Sequence, residues 1–152
     1  DINDVEMKRL DMLIALHACD IATDIAIAKG IKAGAKVIVV APCCHKQIRP
    51  QIQSPALDKP MLKYGVHLGQ QAEMITDSLR ALLLEACGYS TKVFEFISLE
   101  HTNKNKMILA IKNLVTPQPA NNEILEQISA IKHHYGISEH CLETLLIDDE
   151  LI

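Results

Sequence analysis

Residues 11–42 read DMLIALHACDIATDIAIAKGIKAGAKVIVVAP and hold two apolar runs on either side of a helical pattern. The first run, residues 11–18, is bounded by polar residues and is typical of a buried strand. The second, residues 36–42, is rich in β-branched residues, which indicates a strand covered on both faces, as in parallel sheets. Pro42 ends this strand. A strand, a helix and a strand in about thirty residues predict a right-handed βαβ unit.

The helix between the two strands is predicted over about residues 22–32. Asp20 or Thr23 can serve as its N-cap, because a short polar side chain accepts a bond from the first free backbone N–H groups. Gly34 follows the last helical residue and is typical of a helix end.

Downstream, the sequence predicts a loop, a long helix and a β-hairpin. Residues 43–65 are punctuated by proline and glycine and form the loop. Residues 67–87 have the pattern of an amphipathic helix, which Gly88 ends. The runs TKVFEFISL, from residue 91, and KMILAIKNL, from residue 106, are joined by a short polar loop and predict an antiparallel pair. The fold class is therefore α/β, with parallel strands ending in an antiparallel hairpin.

The last quarter of the chain differs in charge from the rest. Residues 117–152 carry seven acids against Lys132 alone. They predict two short helices near 122–134 and 138–147, separated by Gly136, with Ser138 as an N-cap. We therefore divide the chain into a domain at residues 1–116 and an acidic helical appendage at residues 117–152.

The composition excludes several classes of protein. The chain has 152 residues, 49% of them hydrophobic, which suits one domain or a piece of a larger one. Aromatic residues make up 3% and tryptophan is absent, which argues against a row of rings that stack on a single strand. No apolar run approaches the roughly 20 residues of a membrane span, and the first residues do not form a signal peptide. Five cysteines, an odd number, predict a reduced cytoplasmic protein rather than a disulfide framework.

The strongest functional signal is a cluster of polar and sulfur-bearing residues at the ends of the two predicted parallel strands. Ligands bind outside the carboxyl ends of strands in open α/β sheets, so both clusters should open onto one crevice. The members are His17, Cys19 and Asp20 after the first strand and Cys43, Cys44 and His45 after the second. In the alternative interpretation the cysteines are small buried hydrophobes and Asp20 is only a helix cap.

Two weaker signals lie later in the chain. The loop at residues 100–105, EHTNKN, offers donors, acceptors and both charges, although a solvated turn explains it equally well. On the long helix a polar series recurs at three- or four-residue spacing, and a solvated face with an Asp77–Arg80 pair is the favoured interpretation. This series is Gln70, Glu73, Asp77 and Arg80.

A metal site is disfavoured by the sequence. The histidines and cysteines of the strand ends have the softness that zinc prefers. However, adjacent Cys43 and Cys44 on an extended chain would point in opposite directions, and no C-x-x-C pair exists. The zinc-deaminase signature also fails, since the chain has H-A-C and P-C-C-H instead. We therefore assign no metal ligands.

Four motifs, in this order, resemble a family of class I S-adenosylmethionine-dependent methyltransferases. They are LHACDIATDIAIAKGI, VIVVAPCCHKQIR, AEMITDSLRALLLEACGY and VFEFISLEHTNKNKMI. The resemblance implies a Rossmann-like seven-stranded sheet ending in an antiparallel hairpin. The chain has no G-x-G-x-x-G loop and no ribose-binding acid after a second strand, so residues 1–116 resemble the C-terminal half of such a domain.

The resemblance implies roles for residues at the strand ends. Asp1, Ile2, Leu16, His17, Ala18 and Cys19 would contact the cofactor, S-adenosylmethionine. His17, Asp20 and His45 are candidates for a catalytic base, and Cys43 or Cys44 for a nucleophile. Arg49, Glu100, His101, Thr102, Lys104 and Asn105 would contact the acceptor.

The acceptor and partners follow less directly. RNA is the expected acceptor, by analogy and because Lys46, Arg49, Lys59 and Lys63 form a modest basic patch. Without a first half, the strand at residues 11–18 would be an apolar sheet edge. This predicts that the chain either forms a homodimer through that edge or is a truncated piece of a longer protein, and that the fragment alone is inactive. Two alternatives remain open: a non-catalytic dimeric binding module, and a metal-binding domain that uses the His/Cys cluster.

Overall fold

A computed structural model describes residues 9–96, 105–113 and 122–152. The elements, in chain order, are β1 (Met12–Leu16), α1 (Ile21–Lys32), β2 (Val37–Ala41), α2 (Lys59–Leu62), α3 (Gly65–Ala86), β3 (Tyr89–Glu95), β4 (Lys106–Lys112), α4 (Asn122–Tyr135) and α5 (Cys141–Asp148). The predicted elements are all present, and α2 is added within the proline-rich loop.

The described strands form one mixed sheet with the order β1-β2-β4-β3. Strands β1 and β2 are parallel neighbours, paired from Met12 with Val37 to Leu16 with Ala41. Strand β4 is antiparallel to both β2 and β3 and lies between them. The predicted βαβ unit and antiparallel hairpin are therefore confirmed, and the carboxyl ends of β1 and β2 lie at the same edge of the sheet.

Helices α1 and α3 cover one face of this sheet. Ile38 and Val40 of β2 are fully buried in the core that these helices form with the sheet. Gly30 allows the close approach of α1, because a Cβ atom there would lie 3.2 Å from side-chain carbons of both Leu13 and Ile38. Gly34 and Gly88, which follow α1 and α3, have φ angles of 71° and 84° and so adopt a conformation that glycine favours.

The opposite face of β1 is not covered by any described residue. Met12, Ile14 and Leu16 keep 51%, 59% and 56% of their surface exposed, whereas Leu13 between them is buried. The prediction of a fully buried first strand is therefore wrong, because the run is apolar on both faces but only one face meets helices. For the same reason β2 is fully buried only at alternate positions.

Helices α4 and α5 pack on the helices rather than on the strands. Helix α4 lies against α3, and α5 lies against α1, with Leu142 and Leu146 fully buried. Ser138 does not cap α5, which begins at Cys141. Instead its backbone N–H and hydroxyl both donate to Oε1 of Gln51 at 3.0 Å. The boundary predicted at residue 116 lies outside the described residues.

Candidate active site

The loops that follow β1 and β2 meet directly at the edge of the sheet. Oδ1 of Asp20 accepts a hydrogen bond of 3.2 Å from the backbone N–H of Gln47. The Sγ atoms of Cys19 and Cys43 lie 2.9 Å apart. Asp20 stands at the N-terminus of α1 as predicted but makes no side-chain capping bond, because its carboxylate is used to join the two loops.

The backbone of the first loop is strained. His17 and Asp20 have φ angles of 60° and 53°, in the left-handed region that non-glycine residues rarely occupy. Each such residue costs on the order of 1–3 kcal/mol and persists only where the surroundings hold it. Here the hydroxyl of Thr23 donates to the carbonyl of Ala18, and Nη2 of Arg80 donates to the carbonyl of Asp20 at 3.0 Å.

Arg80 supports this loop from within the core. Its side chain is 1% exposed and makes a bidentate ion pair with Asp24, from Nε at 2.8 Å and from Nη2 at 3.0 Å. Its Nη1 atom lies 3.5 Å from Oδ1 of Asp77. The predicted Asp77–Arg80 pair is therefore confirmed, but the predicted solvated face is wrong, because both residues are buried. The guanidinium links α3 to α1 and to the loop after β1.

A cavity of about 950 Å³ opens beside the second loop. It lies between that loop, the first half of α3 and the start of β4. The lining includes Cys43, Cys44 and His45 from the loop after β2, together with Arg49, Glu73 and Asn105. The volume falls in the range of small-molecule sites, so the cavity can hold a small molecule or part of a larger one.

An acid–base pair, His45 and Asp77, lies at one wall of this cavity, and only His45 of the two lines it. His45 and Asp77 are buried, and Nδ1 of His45 lies 4.0 Å from Oδ1 of Asp77, an ion-pair distance rather than a hydrogen bond. Burial raises the pKa of Asp77 to about 7, although Arg80 opposes the shift. Glu73, one turn earlier on α3, pairs with Lys106 at 3.1 Å. A carboxyl group with a pKa near neutral thus lies next to His45, which lines the cavity.

The three cysteines of the strand ends also converge. The Sγ atoms of Cys43 and Cys44 lie 3.7 Å apart, and those of Cys19, Cys43 and Cys44 all lie within 4.8 Å of one another. The side chains of adjacent Cys43 and Cys44 do not point in opposite directions, as predicted for an extended chain, because both residues follow the end of β2 and are not in a strand. The hydrogen bond with Cys19, followed by burial, raises the pKa of Cys43 to about 12. At neutral pH this thiol is therefore a poor nucleophile.

The structure brings only some of the predicted site residues together. Cys43, Cys44, His45, Arg49 and Asn105 line the cavity. Leu16, His17 and Cys19 are exposed at the end of β1, with Ala18 and Asp20 half-buried. Asp1, Ile2, Glu100, His101, Thr102 and Lys104 lie outside the described residues.

Three residues of the site were not predicted from the sequence. Glu73 and Lys106 line the cavity, and Asp77 lies behind His45. The spacing of the polar series on α3 contained the signal. However, the same spacing fits a solvated helix face. Only the tertiary fold shows that this face is covered, by α1, the loop after β2 and the start of β4.

Comparison with known protein families gives a match to the first third of the chain. Residues 2–51, which include β1, α1, β2 and both loops of the site, match the family described as a methyltransferase domain. The predicted resemblance to a methyltransferase domain is confirmed by this match. No solved structure matches the chain significantly.

Two curated proteins are also similar to this chain. They are the glutathione S-transferase C-terminal domain-containing proteins of Homo sapiens and Macaca fascicularis, each 30% identical over 64% of this chain. The matched region makes up 19% of each relative, so the chain spans about a fifth of their length. In addition, the described residues include no helix that is long and apolar enough to cross a membrane.

Proposed function

We propose that this chain is the acceptor-binding half of a Rossmann-like, S-adenosylmethionine-dependent methyltransferase domain. The observation that carries the proposal is the meeting of the loops after β1 and β2 at one edge of the sheet, beside a cavity of about 950 Å³. Open α/β sheets bind their ligands at such an edge. The match of residues 2–51 to a methyltransferase domain supports the same assignment.

The residues at the end of β1 fit one side of the cofactor. Leu16 and Ile21 present exposed apolar surface there. The backbone between them has an irregular conformation, with positive φ angles at His17 and Asp20. S-adenosylmethionine, when bound, supplies a methyl group that is already activated as part of a sulfonium. The glycine-rich loop that holds the rest of the cofactor is not among these 152 residues and, in this proposal, comes from the other half of the domain.

The cavity residues position the acceptor and accept its proton. Methyl transfer depends mainly on holding the acceptor in line, and a base is needed only where the acceptor must lose a proton. His45 is our candidate base, because it lines the cavity and has the Asp77 carboxylate behind it. The distance of 4.0 Å between them can shorten when an acceptor binds.

RNA is the acceptor that we propose. Lys46 and Arg49 lie at the cavity and are exposed, and Lys59 and Lys63 continue the positive charge along the segment that follows. The ammonium group of Lys63 lies 4.9 Å from the ring centroid of Tyr64, which is itself 55% exposed and available for stacking on a base. Such a surface attracts a phosphate backbone and presents single-stranded bases to the cavity.

Calorimetric titration with S-adenosylhomocysteine tests the assignment. We expect the domain completed with its glycine-rich half to bind with micromolar affinity, and the 152-residue chain alone to bind far more weakly. With tritiated S-adenosylmethionine and total RNA, the completed domain should produce label that nuclease removes and protease does not. Label that only protease removes would refute the RNA acceptor, and a completed domain that binds no S-adenosylhomocysteine would refute the function.

We also infer that the 152-residue chain forms a homodimer through the edge at β1. Among the described strands β1 pairs only with β2, and its free edge lies beside exposed Met12, Ile14 and Leu16. An unpaired apolar edge favours pairing with a second chain.

Substitution Ile14→Lys tests this edge, because it places a charge on the exposed face of β1. We expect light scattering after size-exclusion chromatography to give a dimer for the wild-type chain and a monomer for the variant. Val93→Lys, at a residue of β3 that is 46% exposed, is the matched control on the opposite edge and should leave the dimer intact. A monomeric wild-type chain, or equal effects of the two substitutions, would contradict the inference.

A further inference from the structure

The cluster of Cys19, Cys43 and Cys44 is not explained by methyl transfer or by packing. Transfer of a methyl group from a sulfonium depends on positioning the acceptor and requires no thiol. The alternative that these are small buried hydrophobes fails as well, because Cys19 is exposed and the other two are half-buried. Three thiols that meet at a partly open surface call for another explanation.

We propose that Cys19, Cys43 and Cys44 bind one Zn²⁺ ion through their three sulfur atoms. Zinc prefers thiolate ligands, and sites with three protein ligands leave the fourth position to water or a substrate. Two of the ligands, Cys43 and Cys44, line the cavity, so the ion lies at its border. The site is independent of the proposed methyl transfer, and the tests below measure metal binding rather than activity.

The spacing of the sulfur atoms fits this ion. Two thiolates on a tetrahedral zinc with bonds of about 2.3 Å are separated by about 3.8 Å. The 3.7 Å between Cys43 and Cys44 matches this value. The 2.9 Å between Cys19 and Cys43 would have to open by roughly 0.9 Å, which rotation of a partly exposed cysteine side chain can supply.

Hydrogen bonds from Gln47 and Arg80 fix the relative position of the two cysteine-bearing loops before any ion binds. The bond from the Gln47 N–H to Asp20 joins the loops one residue after Cys19 and three after Cys44. Arg80 holds the Asp20 carbonyl from the core. On binding, each thiol releases its proton to the solvent, and the ion with three thiolates carries a net charge of −1.

Competition with a chromophoric zinc chelator under reducing conditions tests the site on the 152-residue chain. We expect one Zn²⁺ per chain. Each of the substitutions C19S, C43S and C44S should lower the affinity by roughly 100-fold or more, since even loss of an outer-shell partner costs 10- to 100-fold. C87S and C141S are matched controls, because these cysteines are also free and half-buried but lie outside the cluster. They should leave the affinity unchanged.

Cobalt provides a second measurement that does not depend on the chelator. Co²⁺ bound to the cluster should give a sulfur-to-cobalt charge-transfer band in the near ultraviolet, absent from C43S and present in C141S. Circular dichroism of each variant separates lost binding from lost folding. A reduced, folded wild-type chain that binds no Zn²⁺ would overturn the proposal, as would equal affinities of C19S and C87S. If Cys19 and Cys43 form a disulfide, the mass of the chain is lower by two hydrogens. If Zn²⁺ does not bind after this disulfide is reduced, the proposal is also overturned.

Discussion

Replacing Arg80 by methionine is expected to lower the free energy of unfolding by about 3–5 kcal/mol. The substitution leaves the volume of the core nearly unchanged but removes the only cation that pairs with buried Asp24 among the described residues. The free energy lost when the Asp24 carboxylate is removed from water is then no longer offset by an ion pair in the folded state. The carbonyl of Asp20 would lose one of its two donors and keep only the N–H of Thr23, so the strained loop after β1 should become less ordered.

Denaturation in urea, followed by circular dichroism, measures this effect. Arg49→Met is the matched control, because Arg49 is exposed and makes one side-chain bond, of 3.1 Å, to the carbonyl of Gly65. We expect the control to change the stability by no more than about 0.5 kcal/mol. Arg80→Lys should also lower the free energy of unfolding, although it keeps the positive charge, since lysine cannot make the bidentate pair with Asp24. Equal midpoints for the Arg80→Met and Arg49→Met variants would show that the buried pair does not stabilise the fold.

The fold was largely predictable because its signals are local. The period of the apolar residues predicts β1, α1, β2, α3 and the hairpin, and Gly34 and Gly88 mark helix ends through their backbone freedom. Long-range competition explains the errors. Asp20 and Ser138 are residue types that commonly serve as N-caps. In this fold they instead form hydrogen bonds with Gln47 and Gln51, which are distant in sequence.

The candidate site was predictable only where it depends on strand ends. The rule that parallel strands present their carboxyl ends together places Cys19 and Cys43 near each other, and the structure agrees. Burial on α3 could not be predicted in the same way, because Asp77 and Arg80 are polar and their helical spacing also fits a solvated face. Their burial depends on α1 and on the loop after β2, which are brought there by the tertiary fold.

The substitution His45→Asn is expected to slow methyl transfer by the completed domain by roughly 10²- to 10⁴-fold, the usual contribution of a positioned base. His45 lines the cavity and is buried, with Asp77 at 4.0 Å from its Nδ1 atom. The measurement is the initial rate of label transfer at saturating cofactor. His133→Asn is the matched control, because His133 is exposed on α4 and does not line the cavity. An unchanged rate in the His45→Asn variant would exclude the base while leaving methyl transfer itself in place.

Asp77→Asn separates a positioning role from a structural one. Burial raises the folded-state pKa of Asp77 to about 7 from an ordinary value of 3.8. The folded chain therefore holds a proton that the unfolded chain releases, and the stability this contributes is complete below pH 3.8 and lost as the pH rises through 7. At pH 8 the asparagine variant should thus be more stable than the wild type, by up to about 4 kcal/mol. If Asp77 orients His45, the same variant should nevertheless be slower, and the part of the acid limb of the pH–rate profile that is due to Asp77 should disappear. A variant that is more stable and equally fast would show that Asp77 is buried for reasons unrelated to His45.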